Sequence, residues 1–143
     1  MSMSHSKSRL SSGSPYERQF GYCRANVVGD RVFVSGTTAL RPGYDIPLND
    51  PGAQTRQTME HIQWALEEVG SCLEDVVRWR AYITDLTRYE EVTKVMSEFF
   101  GDIRPAATLV GMAGLIRPEL LVEIEVDAII GSGREIVDIV PGN

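Results

Sequence analysis

Hydrophobic and polar positions along this chain alternate, then recur at helical spacing, then alternate again, and that succession predicts its elements. Tyr22 to Val28 and Arg31 to Ser35 read as two strands joined by Gly29-Asp30, a two-residue hairpin turn. In the second strand Val32 and Val34 face one way, and Arg31, Phe33 and Ser35 the other. Gly36 ends it, and Thr37 to Gly52 forms a Gly- and Pro-punctuated loop of the length that moves or carries function. A helix is predicted from Pro51 to Val69, because Met59, Ile62, Leu66 and Val69 recur at steps of three and four, with Gly70 as its C-terminal cap. His61 lies off that stripe and reads as a surface residue. Trp64, off its centre, reads as covering an edge or meeting a partner.

Residues 76 to 84 alternate as a strand, with Val77, Trp79, Ala81 and Ile83 on one face and Arg78, Arg80 and Tyr82 on the other. A second helix is predicted to open at Thr87, with Glu90 completing a capping box, and to stop at Gly101; its stripe is Tyr89, Val92, Val95 or Met96, and Phe99. Thr108 to Met112 and Leu120 to Ile130 are further strands, the last with Val122, Ile124, Val126 and Ala128 opposing Glu123, Glu125 and Asp127. The order β-β-α-β-α-β-β describes an α+β domain, a mixed β-sheet with two helices on one face. Its other face carries Arg24, Asn26, Arg78, Arg80, Tyr82, Glu123 and Glu125 mixed with Phe33. Such a face is either solvated or packed against a second copy around a polar centre.

Serine fills half of residues 1 to 14, so this stretch is expected to be a disordered N-terminal tail, with one domain over residues 15 to 143. A chain of 143 residues and 15.9 kDa holds one domain that needs no metal or disulfide staple. No apolar run approaches the ~20 residues of a membrane span, and the Ser-rich start does not read as a signal, which points to a cytoplasmic domain. Cys23 and Cys72 fit no metal-ligand spacing, and His5 and His61 are the only histidines, so no metal site or His-dependent triad is expected. Cys23 has no histidine near it in sequence to lower its pKa, which argues against a thiol nucleophile. The net charge of −6 disfavours a nucleic-acid partner, which needs a basic footprint.

Five segments, taken in order, resemble the Rid family (reactive intermediate deaminases, also called YjgF or L-PSP endoribonucleases). They are GYCRANVVGDRVFVSGTT from Gly21, QTRQTMEHIQWALEEVG from Gln54, EDVVRWRAYITDL from Glu74, SEFFGDIRPAAT from Ser97 and LVEIEVDAI from Leu121. The resemblance implies a chorismate-mutase-like fold and a homotrimer whose ligand pockets lie in clefts between subunits. It also implies hydrolysis of enamines or imines to ammonia and a 2-keto acid, without cofactor or metal. An imine carbon is already electrophilic, so the protein need only fix the carboxylate, polarise the nitrogen and place a water.

The family anchors that carboxylate with the arginine of a Pro-Ala-Arg motif. Here the motif reads Pro105-Ala106-Ala107, and a methyl group cannot replace a planar five-donor fork. The resemblance assigns Glu123 as the catalytic carboxylate that orients water. It places Tyr22, Ser35, Gly36, Thr37, Thr93, Ala107 and Thr108 at the ligand, with Arg24 and Arg104 as candidate replacement anchors. The expected function is therefore a small-molecule hydrolase of altered substrate choice, acting on a small carboxylate or carbonyl metabolite and weak on 2-aminoacrylate. The alternative is a non-catalytic trimer that binds a metabolite or a partner protein in the same clefts.

Overall fold

The structure, a computed structural model, describes residues 6 to 142. Its elements are β1 (Lys7–Leu10), α1 (Pro15–Phe20), β2 (Ala25–Val28), β3 (Arg31–Thr37), α2 (Pro51–Glu68), β4 (Val76–Ile83), α3 (Tyr89–Phe100), β5 (Ala106–Gly111) and β6 (Val122–Ile129), with three short 3-10 turns. The six strands form one mixed sheet in the order β1-β2-β3-β6-β4-β5, in which only β4 and β5 run parallel. That parallel pair is joined by α3, as a parallel connection requires a crossover. Met59, Ile62 and Leu66 of α2 and Val92, Met96 and Phe100 of α3 close over Val32, Val34, Ala81, Ile83, Val122, Ile124, Val126 and Ala128 of the sheet. The expected α+β architecture thus holds. Among the described residues no helix is long and apolar enough to cross a membrane.

Four expectations are corrected. The tail expected over residues 1 to 14 is ordered from residue 7: β1 pairs antiparallel with β2, and α1 begins at Pro15 behind the N-cap Ser14. Composition reports on side-chain burial, whereas β1 is held by backbone pairing along an open strand edge and by Leu10 against the core. The part of that expectation on residues 1 to 5, and His5 with it, lies outside the described residues. Second, Val77 is 39% exposed and Val76 is buried, because the β4–β6 register shifts between Val76 and Arg78 and turns the alternation over by one residue. Third, no capping box forms at Thr87: the Asp85 carboxylate takes the Thr87 amide at 3.0 Å, so a 3-10 turn precedes α3.

The fourth correction is His61, which is 3% exposed rather than on the surface. Helix α2 is buried along two stripes. Thr55, Met59, Ile62 and Leu66 make the apolar one, and Gln54, Thr58, His61 and Ala65 run beside it at the same four-three-four spacing. The second stripe is polar or small, so a hydrophobic pattern passes it over.

Gln54 shows what that stripe does. Its amide nitrogen donates to Pro47 O (2.8 Å) and Glu119 O (2.9 Å), and its oxygen accepts from Leu121 N (2.8 Å). One buried side chain thereby ties the β3–α2 loop to the start of β6. One turn on, Gln57 donates to Ala39 O at 2.7 Å and Asp45 O at 2.9 Å. The long loop is stapled to α2 by two amides.

Two outcomes follow from these contacts. Gln54→Leu leaves three backbone groups without their partner and should lower stability by about 2–4 kcal/mol in urea unfolding. His61 has its pKa pushed down to about 4, by burial first and then by the positive charges of Arg24 and Arg41, against a smaller pull from Glu17. The unfolded chain takes up this proton near pH 6.5 and the folded chain only near 4. The neutral imidazole's contribution is therefore fully present above pH 6.5 and falls away as the pH drops toward 4. Between pH 7 and pH 5 the loss should be about 2 kcal/mol. Urea midpoints at the two pH values check this, and His61→Gln should remove that part of the pH dependence.

Candidate functional site

At Gly36 the sheet opens. The β3–β6 register shifts between Val34 and Thr37, and the Glu123 carboxylate of β6 fills the space a side chain at Gly36 would need. A Cβ there would lie 2.3 Å from Glu123 Oε1, so only glycine allows the approach. Gly36 O is turned to Arg24, whose Nη2 donates to it at 2.5 Å. Arg24 is fixed from both sides, its N donating to Leu10 O (2.8 Å) and its O accepting from Ser35 N (3.0 Å). Ser35 Oγ donates to Cys23 O at 2.7 Å, so the segment before Arg24 is tied to β3 as well.

These residues line a cleft of ≈ 580 Å³. Of the residues named from the sequence, Tyr22, Arg24, Ser35, Gly36 and Glu123 meet there. Thr37 lies just beneath, buried, with its Oγ1 donating to Ser35 O at 2.8 Å. The remaining expected residues stand apart from the cleft of the single chain. Thr93 is on α3 and bonds its own helix at Glu90 O (3.4 Å). Ala107 and Thr108 are exposed on the edge strand β5, opposite Trp79 and Arg80. Arg104 is exposed and pairs with Asp138 at 3.3 Å.

Arg24 is 6% exposed, and its Nε is buried without a hydrogen-bond partner. Burial pulls its pKa down, opposed by Tyr22, Glu17 and Glu123; a guanidinium nonetheless stays charged. Its Cζ lies 5.8 Å from the centre of the Tyr22 ring. Burial also raises the pKa of Glu123, with Arg24 opposing and Glu125 adding to the rise. No salt bridge joins Arg24 to Glu123 among the described residues, so each charge is available to a third group. A buried cation beside a carboxylate of raised pKa can hold an anionic group and move a proton at a neighbouring atom.

Sequence reasoning missed most of the lining: Ser12, Ser14, Pro15, Tyr16 and Phe20 from the N-terminal segment, Thr38, Leu40, Arg41 and Pro42 from the loop, and His61 and Ile116. A signal for the first group was present. Ser14-Pro15-Tyr16-Glu17 has an N-cap serine, a proline at the first helical position and an acid three residues on, and Gly21 closes the helix at φ 79°. Tyr16 and Phe20 stack on that helix at 5.4 Å and form one wall. Glu17 is buried beneath it; burial opposes its ionisation, but hydrogen bonds from Ser12 and the charge of Arg24 hold its pKa below the usual range.

A family model described as Endoribonuclease L-PSP matches residues 15–130. A Streptomyces coelicolor protein is 36% identical over 124 residues, covering 87% of this chain and 92% of its own. A RutC family protein of Pyrococcus abyssi is 35% identical over 105 residues, covering 73% of this chain and 82% of its own. The crystal structure of a Mycobacterium tuberculosis member of the YjgF/YER057c/UK114 family superposes with a TM-score of 0.79 at 45% identity, over 87% of this chain and all of that one. In sequence and fold, the chain belongs to the endoribonuclease L-PSP family, which is also the YjgF and RutC family.

Proposed function

We propose that the cleft hydrolyses C=N bonds of small carboxylate-bearing imines, with Arg24 in place of the arginine that Ala107 removes. The observation that carries this is Arg24 itself: a buried guanidinium with an unpartnered Nε, in the same cleft as Glu123. Arg104, the other candidate, is exposed and engaged by Asp138, and has no part in this reading. Arg24 holds the substrate carboxylate. Glu123 takes a proton from a water as its oxygen bonds to the imine carbon. The same proton passes to nitrogen to give a carbinolamine; its hydroxyl proton then reaches nitrogen through Glu123 as the C=O forms and the C–N bond breaks, and ammonia and a 2-keto acid leave. A carboxylate whose pKa is raised by burial suits that base role.

A homotrimer belongs to the same proposal. β5 exposes Ala107, Thr108 and Val110 at the sheet edge, and Phe33 is 45% exposed on the face away from the helices. Packing of copies would cover such surfaces and bring β5 of one subunit toward the cleft of another. The acidic balance of the chain supports a small-molecule substrate over RNA.

Light scattering should give a mass three times the 15.9 kDa chain at micromolar concentration, and a monomer would remove the trimer. With enzymatically generated 2-aminoacrylate, pyruvate release should be ~10²-fold slower than for a relative that keeps the motif arginine. Across a panel of imines made in situ from amino-acid oxidation, Glu123→Gln should abolish turnover of whichever substrate is found while the protein stays folded and still binds the 2-keto acid product. Unchanged turnover in Glu123→Gln would refute the base assignment. Binding of products without turnover by the parent protein would favour a metabolite-binding trimer.

A further inference from the structure

The cleft holds a second guanidinium. Arg41, on the loop between β3 and α2, lines it with its Cζ 4.5 Å from the centre of the Tyr44 ring and 5.8 Å from that of Trp64. No acidic side chain among the described residues pairs with it. The loop is held from both sides of Arg41 by Gln57, which bonds Ala39 O and Asp45 O. Stacked on rings and carried by a stapled backbone, this guanidinium loses little freedom on meeting an anion.

His61 lines the same cleft. It is buried, its ring lies 5.6 Å from that of Trp64, and its Nδ1 has no partner. A buried polar atom without a partner is costly, and here it belongs to a residue that borders a cavity. Both Arg24 and Arg41 act electrostatically on the imidazole, so the two cations and His61 share one neighbourhood. The ≈ 580 Å³ of the cleft also far exceeds the need of a three-carbon acid. Its six heavy atoms, even at the ~30 Å³ a water occupies in the liquid, fill under about 200 Å³.

We infer that Arg41 and His61 form a second anion subsite in this cleft, so that the ligand class is a dicarboxylate 2-imino or 2-oxo acid, one carboxylate on Arg24 and the distal one on Arg41 with a hydrogen bond from His61. This rests on the Arg24 anchor proposed above. The neutral imidazole is a donor that adds no charge of its own, and the distal carboxylate is what Arg41 lacks among the described residues.

Matched 2-oxo acids test the subsite by calorimetric titration of the purified full-length protein. 2-Oxopentanoate and 2-oxoglutarate share a five-carbon chain and differ in the terminal carboxylate; 2-oxohexanoate and 2-oxoadipate repeat the comparison one carbon longer. The dicarboxylate should bind about 10- to 100-fold more tightly in at least one pair, the range of a charge-assisted hydrogen bond. Arg41→Gln should bring that ratio close to one by weakening the dicarboxylate far more than the monocarboxylate, and Arg24→Gln should weaken both members. Equal affinities in both pairs, tighter binding of the monocarboxylates, or a preference that survives Arg41→Gln would overturn the subsite and leave the Arg24 anchor standing. If none of the four acids binds in the millimolar range, the Arg24 anchor fails, and the subsite with it.

Discussion

The site depends on one steric fact, the approach of the Glu123 carboxylate to within contact of the Gly36 backbone. It requires glycine, since a Cβ would lie 2.3 Å from Oε1. It also requires the irregularity in β3, because a regular ladder through Ser35 and Gly36 would keep both carbonyls in the sheet. Freed from the ladder, Gly36 O accepts from Arg24 Nη2. The bulge thus does two things together: it makes room for the Glu123 carboxylate and supplies the acceptor that fixes the Arg24 guanidinium. Any residue larger than glycine would displace the Glu123 carboxylate, and the same residue's carbonyl holds Arg24, so acid and guanidinium are positioned by one stretch of backbone rather than by each other.

The second support is the polar stripe of α2. Gln54 and Gln57 fasten the loop, and His61 reaches the cleft from the same face, so the helix that closes the core also shapes the site. This placement links stability to function. A buried amide is stabilising only while its partners are present, and here those partners belong to the loop that carries Arg41. Loosening the staple would blur the cleft before it unfolded the domain, because the apolar stripe of Met59, Ile62 and Leu66 is independent of it.

Strands and helices with a strong apolar period were legible within a residue or two, as for α2 and β6, because burial of one face sets their pattern. What escaped was structure held by backbone or polar contacts. β1 forms by edge pairing, the Val76–Arg78 bulge changes face without changing composition, and His61 is buried on a stripe of small and polar residues. Tyr22, Arg24, Ser35, Gly36 and Glu123 were named through the family resemblance rather than through any period, and they line one cleft. Arg41 and Ile116 come from loops, where no period exists to read. Ala107, Thr108 and Thr93 share no surface with the cleft of a single chain, so a resemblance could point to them where geometry within one chain does not.

Charge separates two scales in this molecule. The chain as a whole carries −6, which repels a long polyanion at every phosphate beyond the first contact. Within the cleft the balance differs. Arg24 and Arg41 face it, Glu123 has its ionisation opposed by burial, and Glu17, ionised, is already satisfied by Ser12. Screening at physiological salt limits exposed charges to about 8 Å, whereas charges around a low-dielectric cavity act on what is inside it. A small anion entering the cleft therefore meets the local cations and little of the net charge, while a nucleic-acid backbone laid across the surface meets the reverse.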